Sequence, residues 1–187
     1  MELFVISLVG YLIGSIPFAN WMESYFHKRG CDKPPLEAVI FAGSLDTMKV
    51  TLATYLAIQA GGHFWAVGCA GLAAALGHCY PLFARFRGGR GVCAFFGFLL
   101  ALWGFAGQAA AVLFLPLLVF WLLLFTTGKA AEAGFLAAWE ALICIWATGG
   151  PPSYIFATAM LSFLISFRYR DSLHRQRADA GYSVILR

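Results

Sequence analysis

The sequence predicts an all-α, polytopic membrane helix bundle of about seven transmembrane helices, held in a single integral membrane domain over residues 1–187. Three observations carry that expectation. Hydrophobic residues make up 61% of the chain against 12% charged, with a mean hydropathy of +0.77, far from the make-up of a water-soluble domain. Apolar runs that approach the roughly 20 residues a helix needs to cross the hydrocarbon recur along the chain, with turn formers between them. Basic residues gather in alternate gaps between those runs.

The first span, 3–21, lacks the basic n-region and small-residue cleavage site of a signal peptide and continues into Gly14-Ser15-Ile16-Pro17-Phe18, so it reads as retained. Lys33-Pro34-Pro35 separates it from the second, 38–59. Gly61-Gly62 precedes the third, 63–82, which carries Pro81 at its end. Gly88-Gly89 precedes the fourth, 91–103, which is short for a full crossing and suits little tilt, a thinned bilayer or re-entry. The fifth, 108–126, stops before Gly128, and the sixth, 134–148, stops at Gly149-Gly150-Pro151-Pro152. The seventh, 152–167, leads into a basic tail.

Charge orients this arrangement. With the N-terminus outside and the C-terminus cytoplasmic, Lys28, Arg29, Lys33, Arg85, Arg87, Arg90, Lys129, Arg168, Arg170, Arg175, Arg177 and Arg187 all fall on the inner side, leaving Lys49 alone of the 13 basic residues within a span. A net charge of +4 confined to one face is explained by topology, so no nucleic-acid partner is expected; anionic headgroups, other membrane lipids and phosphate esters are. Cys31, Cys69, Cys79, Cys93 and Cys144 show no C-x-x-C spacing, and neither a disulfide nor a metal site is implied. His27, His63 and His174 share no ligand spacing. Trp21, Trp65, Trp103, Trp121, Trp139 and Trp146 read as interfacial belt or packing residues.

The chemistry is expected at residues 77–92, where Arg85, Arg87 and Arg90 surround Gly88-Gly89 and Gly91 between two apolar segments. Glycine allows backbone N–H groups to face an anion, and arginine supplies forked donors that match phosphate oxygens. A positive-inside anchor also explains arginines here, although anchoring needs charge and not three glycines. His78 could bind phosphate or move a proton near neutral pH, or simply make a helix-end hydrogen bond. Asp46 and Lys49, three residues apart, share a helical face and form either a self-neutralising structural pair or a pair that orders a substrate site. Glu140 has no cation near it in sequence, and Ser15 reads as a small packing residue beside a kink.

Three segments, in order, resemble the bacterial acyl-phosphate:glycerol-3-phosphate acyltransferases. These are Tyr11-Leu12-Ile13-Gly14-Ser15-Ile16-Pro17-Phe18, the D-x-x-K element Asp46-Thr47-Met48-Lys49, and the segment from Gly77 to Val92. The last is similar to that family's G-H-x-x-P-x-F-x-x-F-K-G-G-K-G-V, with Arg87 and Arg90 in the lysine positions. The resemblance implies direct attack of the glycerol 3-phosphate 1-hydroxyl on an acyl phosphate at the cytoplasmic face of a bacterial inner membrane. Lysophosphatidic acid and phosphate are the implied products, with no acyl-enzyme, metal or cofactor. It implies His78 and Arg90 as catalytic residues and Ser15, Lys49, Arg87, Gly88, Gly89, Gly91 and Arg170 as substrate-binding ones, with Asp46 in an ordering role. Besides Arg87 and Arg90 in the lysine positions, and Val50 where a glycine is usual after the D-x-x-K element, the chain departs from the family in two longer segments. The G-S-G-N-x-G-A-T-N loop that follows the family's first span has no counterpart between Arg29 and the second span, and H-R-x-N-I is matched only by Tyr169-Arg170-Asp171-Ser172-Leu173. A non-catalytic relative that binds a phosphate ester, headgroup or membrane partner is therefore the alternative expectation, and a transporter with Asp46, Lys49 and Glu140 as a relay is a third.

Overall fold

The structure, a computed structural model, describes residues 2–31, 33–61 and 63–185, and the side chains of these up to residue 170 apart from Ala131. The side chains of His174, Arg175 and Arg177, and Gly62 and Arg187 altogether, lie outside the described residues. The described residues form eight α-helices and no strand: α1 (Glu2–Gly14), α2 (Phe18–Lys28), α3 (Leu36–Gln59), α4 (Phe64–Cys79), α5 (Val92–Phe105), α6 (Ala111–Thr127), α7 (Ala130–Ala147) and α8 (Pro152–Ile185), with one 3-10 turn at Leu82–Ala84.

α4 is the hub, packed by α1, α3, α5 and α8, while α6 and α7 close the far side against α5 and α8. It can be central because it is built from small residues. Ala66, Ala70 and Ala74 recur every fourth position and are buried, and Gly14 of α1 sits so close that a Cβ there would strike the Ala74 backbone. Larger side chains fill the layer beside it, with Val50, Phe95, Phe98, Leu99, Leu102, Tyr154 and Leu161 buried. The outside is more apolar than the inside is large. Phe125 is 81% exposed, and Phe4, Leu118, Ile143 and Phe163 also project outward, a surface that suits hydrocarbon and not water.

Three boundaries differ from those the sequence predicts. The first predicted span is two helices, because Pro17 has no N–H to continue α1 and the chain turns through Ser15-Ile16-Pro17. The eleven-residue α2 that follows, about 16 Å long, is too short to cross. Its aromatic side, with Trp21 and Tyr25 exposed, and its polar side, with Asn20, Glu23, Ser24 and His27, make it an interfacial helix. The sixth span begins earlier, at Ala130, where Lys129 and Glu132 pair at 2.8 Å across the first turn. The seventh runs on unbroken past residue 167 into the basic tail, since neither glycine nor proline occurs between Pro152 and Gly181. α5, at 14 residues or about 21 Å, is as short as its sequence suggests.

Candidate active site

The site is assembled where α4 ends. The chain leaves Cys79 through Tyr80 and an extended Pro81, makes the 3-10 turn, and reverses at Arg85 and Phe86, whose φ values of 53° and 60° place both in the left-handed region. That conformation costs roughly 1–2 kcal/mol for each non-glycine residue and persists only where surroundings fix it. Here they do. Phe86 N–H donates to the Pro81 carbonyl at 2.9 Å and Arg87 N–H to that of Ala84 at 3.0 Å. Three other helices hold the same turn: Tyr11 Oη of α1 donates to the Tyr80 carbonyl at 2.9 Å, Asn20 Nδ2 of α2 to that of Arg87 at 2.8 Å, and Arg168 of α8 to those of Gly88 and Gly89 at 2.8 and 2.9 Å.

Gly88 and Gly89 then fold back onto His78. A Cβ on Gly88 would strike the His78 carbonyl and Pro81, and one on Gly89 would fall on His78 Nε2, so the imidazole and the turn share one space. His78 Nδ1 faces Asp46 Oδ1 at 3.5 Å, and Asp46 Oδ1 meets Lys49 Nζ at 2.6 Å. All three side chains are buried. Lys49 Nζ also donates to the Ile16 carbonyl at 2.6 Å, an acceptor freed by the break at Pro17. The ion pair thus ties α3 to the junction of α1 and α2.

Two cavities reach this cluster and a third adjoins them. The narrow cleft among Pro17, Asn20, Asp46, Lys49, His78 and Gly88-Gly89 reaches the ion pair itself. A groove of about 510 Å³ opens beside it, mostly apolar, walled by Met22 of α2, Ala38, Val39, Ala42 and Gly43 of α3, Val92 and Cys93 of α5 and Phe120 of α6. Asp46, His78, Arg90 and Gly91 stand along the same groove. A polar pocket of about 350 Å³ lies against α2, lined by Asn20, Glu23, Ser24, His27, Cys31 and Pro34. At the N-terminus of α5, capped by Gly91 without a side-chain bond, the first N–H groups point out of the helix next to Arg90.

The structure brings Asp46, Lys49, His78, Gly88, Gly89, Arg90 and Gly91 together. Others among the expected residues do different work. Gly89 N–H donates to the His78 carbonyl at 3.2 Å, so it holds the turn closed and is not aimed at an anion. Ser15 is fully buried and its Oγ donates back to the Tyr11 carbonyl at 2.8 Å, finishing α1. The Arg87 side chain is exposed and lines none of these cavities. Arg170 is exposed over the Phe167 ring, whereas Arg168, a residue sequence reasoning leaves in the tail, lies over the Tyr80 ring and reaches the turn. Two positions apart on a helix is about 200°, so only one of the pair can face the bundle. Glu140 stays on α7, where Cys144 Sγ donates to its Oε1 at 3.1 Å, and it lines none of these cavities.

Fold and surface define a polytopic integral membrane protein with a charged cluster set into an apolar bundle. Two solved chains share the fold: crystal structures of PlsY (YgiH), an integral membrane glycerol 3-phosphate acyltransferase, in its glycerol 3-phosphate and lysophosphatidic acid forms. They match with TM-scores of 0.80 and 0.75 at 22% identity, covering 96% of this chain and 94% and 93% of theirs. The family model described as glycerol-3-phosphate acyltransferase matches residues 36–179. Proteins of that name from Listeria welshimeri, Jannaschia sp. and Tolumonas auensis are 30%, 34% and 32% identical, covering 95%, 90% and 92% of this chain and 94%, 86% and 88% of their own. The chain belongs to the glycerol-3-phosphate acyltransferase family, and it is a membrane acyltransferase of phospholipid synthesis.

Proposed function

We propose that the protein transfers an acyl group from an acyl phosphate to the 1-hydroxyl of glycerol 3-phosphate, releasing lysophosphatidic acid and inorganic phosphate at the cytoplasmic face of a bacterial inner membrane. The observation that carries this reading is the placement of a buried Asp46–His78 pair and Arg90 along one wall of a large apolar groove. Such a groove suits an acyl chain, and the polar cluster suits its activated head.

In this mechanism Asp46 accepts from His78 Nδ1–H and fixes the tautomer, leaving the Nε2 lone pair to take the proton from the attacking hydroxyl. The new C–O bond forms at the acyl carbon, and the bond between that carbon and the phosphate oxygen breaks with its electrons leaving on phosphate. Arg90 and the outward N–H groups of α5 stabilise charge as it develops on the acyl oxygen and the departing phosphate. Lys49 and Asp46 order the site, and the basic residues at the ends of α2, α3, α4, α7 and α8 support a position on the positive, cytoplasmic side.

Purified protein in phospholipid bilayers, supplied with acyl phosphate and glycerol 3-phosphate, is expected to yield lysophosphatidic acid by mass spectrometry. Arg90→Ala is expected to lower the rate at least tenfold. Absence of product over a range of acyl lengths, with phosphate-ester binding intact, overturns the reading.

A further inference from the structure

The polar pocket against α2 has no role in the mechanism above. It adjoins the site, since Asn20 also lines the cleft that reaches Asp46 and His78, and Glu23 and Pro34 also line the apolar groove. Of the two roomy cavities, the groove that reaches the cluster is apolar and this pocket beside it is predominantly polar. A reaction between a greasy donor and a hydrophilic alcohol needs both kinds of wall, meeting at the reacting carbon.

The geometry points to the polar side of α2 as the binding site for the acceptor, a small phosphorylated polyol. This deepens the proposed acyl transfer and rests on it. Asn20, Glu23, Ser24 and His27 recur at helical spacing and so form one stripe, rising about 10 Å along the axis from the reaction end to the open end. Asn20, whose amide is held by the Arg87 carbonyl, stands at the inner end beside His78. Glu23 can accept from a polyol hydroxyl in the middle. Ser24 and His27 offer donors to phosphate oxygens at the outer end, where Lys28 and Arg29 add positive potential.

The link after α2 supplies the second argument. Only residues 29–35 join α2 to α3, and two of them, Cys31 and Pro34, form the pocket's rim. The short link leaves the polar side of α2 uncovered, so that side itself faces the cavity.

Two readouts on the full chain in lipid bilayers test this. Equilibrium binding of glycerol 3-phosphate in the absence of acyl donor is expected to weaken about tenfold in Ser24→Ala and in His27→Ala, and further in Ser24→Glu, which sets a carboxylate against the phosphate. Steady-state kinetics are expected to show the same rise in KM for glycerol 3-phosphate, with KM for acyl phosphate unchanged. Both positions lie on an exposed helix face, where alanine and glutamate are good helix formers. Binding that all three variants leave unaltered, or a rise in KM for both substrates alike, overturns the assignment. Loss of turnover in the unaltered protein with binding intact and stripe-dependent defeats the acyl-transfer reading instead.

Discussion

Arg168 Nη2 donates to the Gly88 carbonyl at 2.8 Å from a helix eighty residues further along the chain. With a second bond to Gly89 and its stack on Tyr80, one guanidinium clamps the turn that shapes the site.

Arg168→Ala is therefore expected to lower kcat by about ten- to a hundredfold while the bundle stays folded, because the turn loses its outer restraint but not its core. Arg168→Lys restores only part of the rate, since an ammonium on a flexible stem cannot reproduce a forked pair of bonds. Initial rates beside thermal unfolding of the same preparations check this; equal losses in both report a folding role alone.

His78 and Gly89 occupy adjoining space, so a change in either moves the other. His78→Gln is expected to reduce kcat by about 10²–10⁴, the range for a lost general base. Gly89→Ala places a methyl group on Nε2 and is expected to cost nearly as much, even though it removes no functional group. The double variant should be no worse than either single one, because both act on the same imidazole. Additive losses would show that Gly89 serves the site in some other way.

How far the sequence foretells this arrangement depends on which physical signal each residue leaves. Hydropathy runs and glycine or proline breaks locate the helices, and the density of arginine and glycine at 85–91 locates the turn. The split at Pro17 is legible as a kink but not as a change of direction, because that depends on Lys49 taking up the Ile16 carbonyl from another helix. Arg168 is hidden for a different reason. On α8 the buried positions Tyr154, Ala157, Leu161 and Ile165 set a stripe whose next member is 168, and Arg170 falls off it. In sequence that stripe is invisible, since the surrounding residues are also apolar and lipid and protein interior select the same side chains. The pocket on α2 is hidden likewise, for a polar helix face reads as solvated until the cavity beside it is seen.

Asp46 and Lys49 are both nearly excluded from the surface, which gives an asymmetric expectation. Lys49→Met leaves a buried carboxylate with one cation fewer, and is expected to destabilise the protein by about 3–5 kcal/mol. Asp46→Leu together with Lys49→Met removes both charges and should recover much of that stability without recovering activity. Thermal unfolding and turnover on the three proteins separate the pair's structural part from its ordering of His78. A double variant that is active would mean the pair is structural only.

Gly43 faces the apolar groove from α3, and a Cβ there would stand 3.5 Å from Cys93 Sγ, an ordinary contact. Gly43→Ala is thus tolerated sterically and, inside a helix, should stabilise by about 0.5–1 kcal/mol. Gly43→Leu projects a branched side chain into the space assigned to the acyl chain. If the groove holds that chain, kcat/KM for a long acyl phosphate should fall by about tenfold or more while a short one is nearly unaffected, since each lost methylene contact is worth about 1–3 kcal/mol. The acceptor's KM should not move, because Gly43 does not line the polar pocket assigned to the polyol. A uniform loss over all chain lengths would place the acyl chain elsewhere on the bundle and leave this groove to a resident membrane lipid.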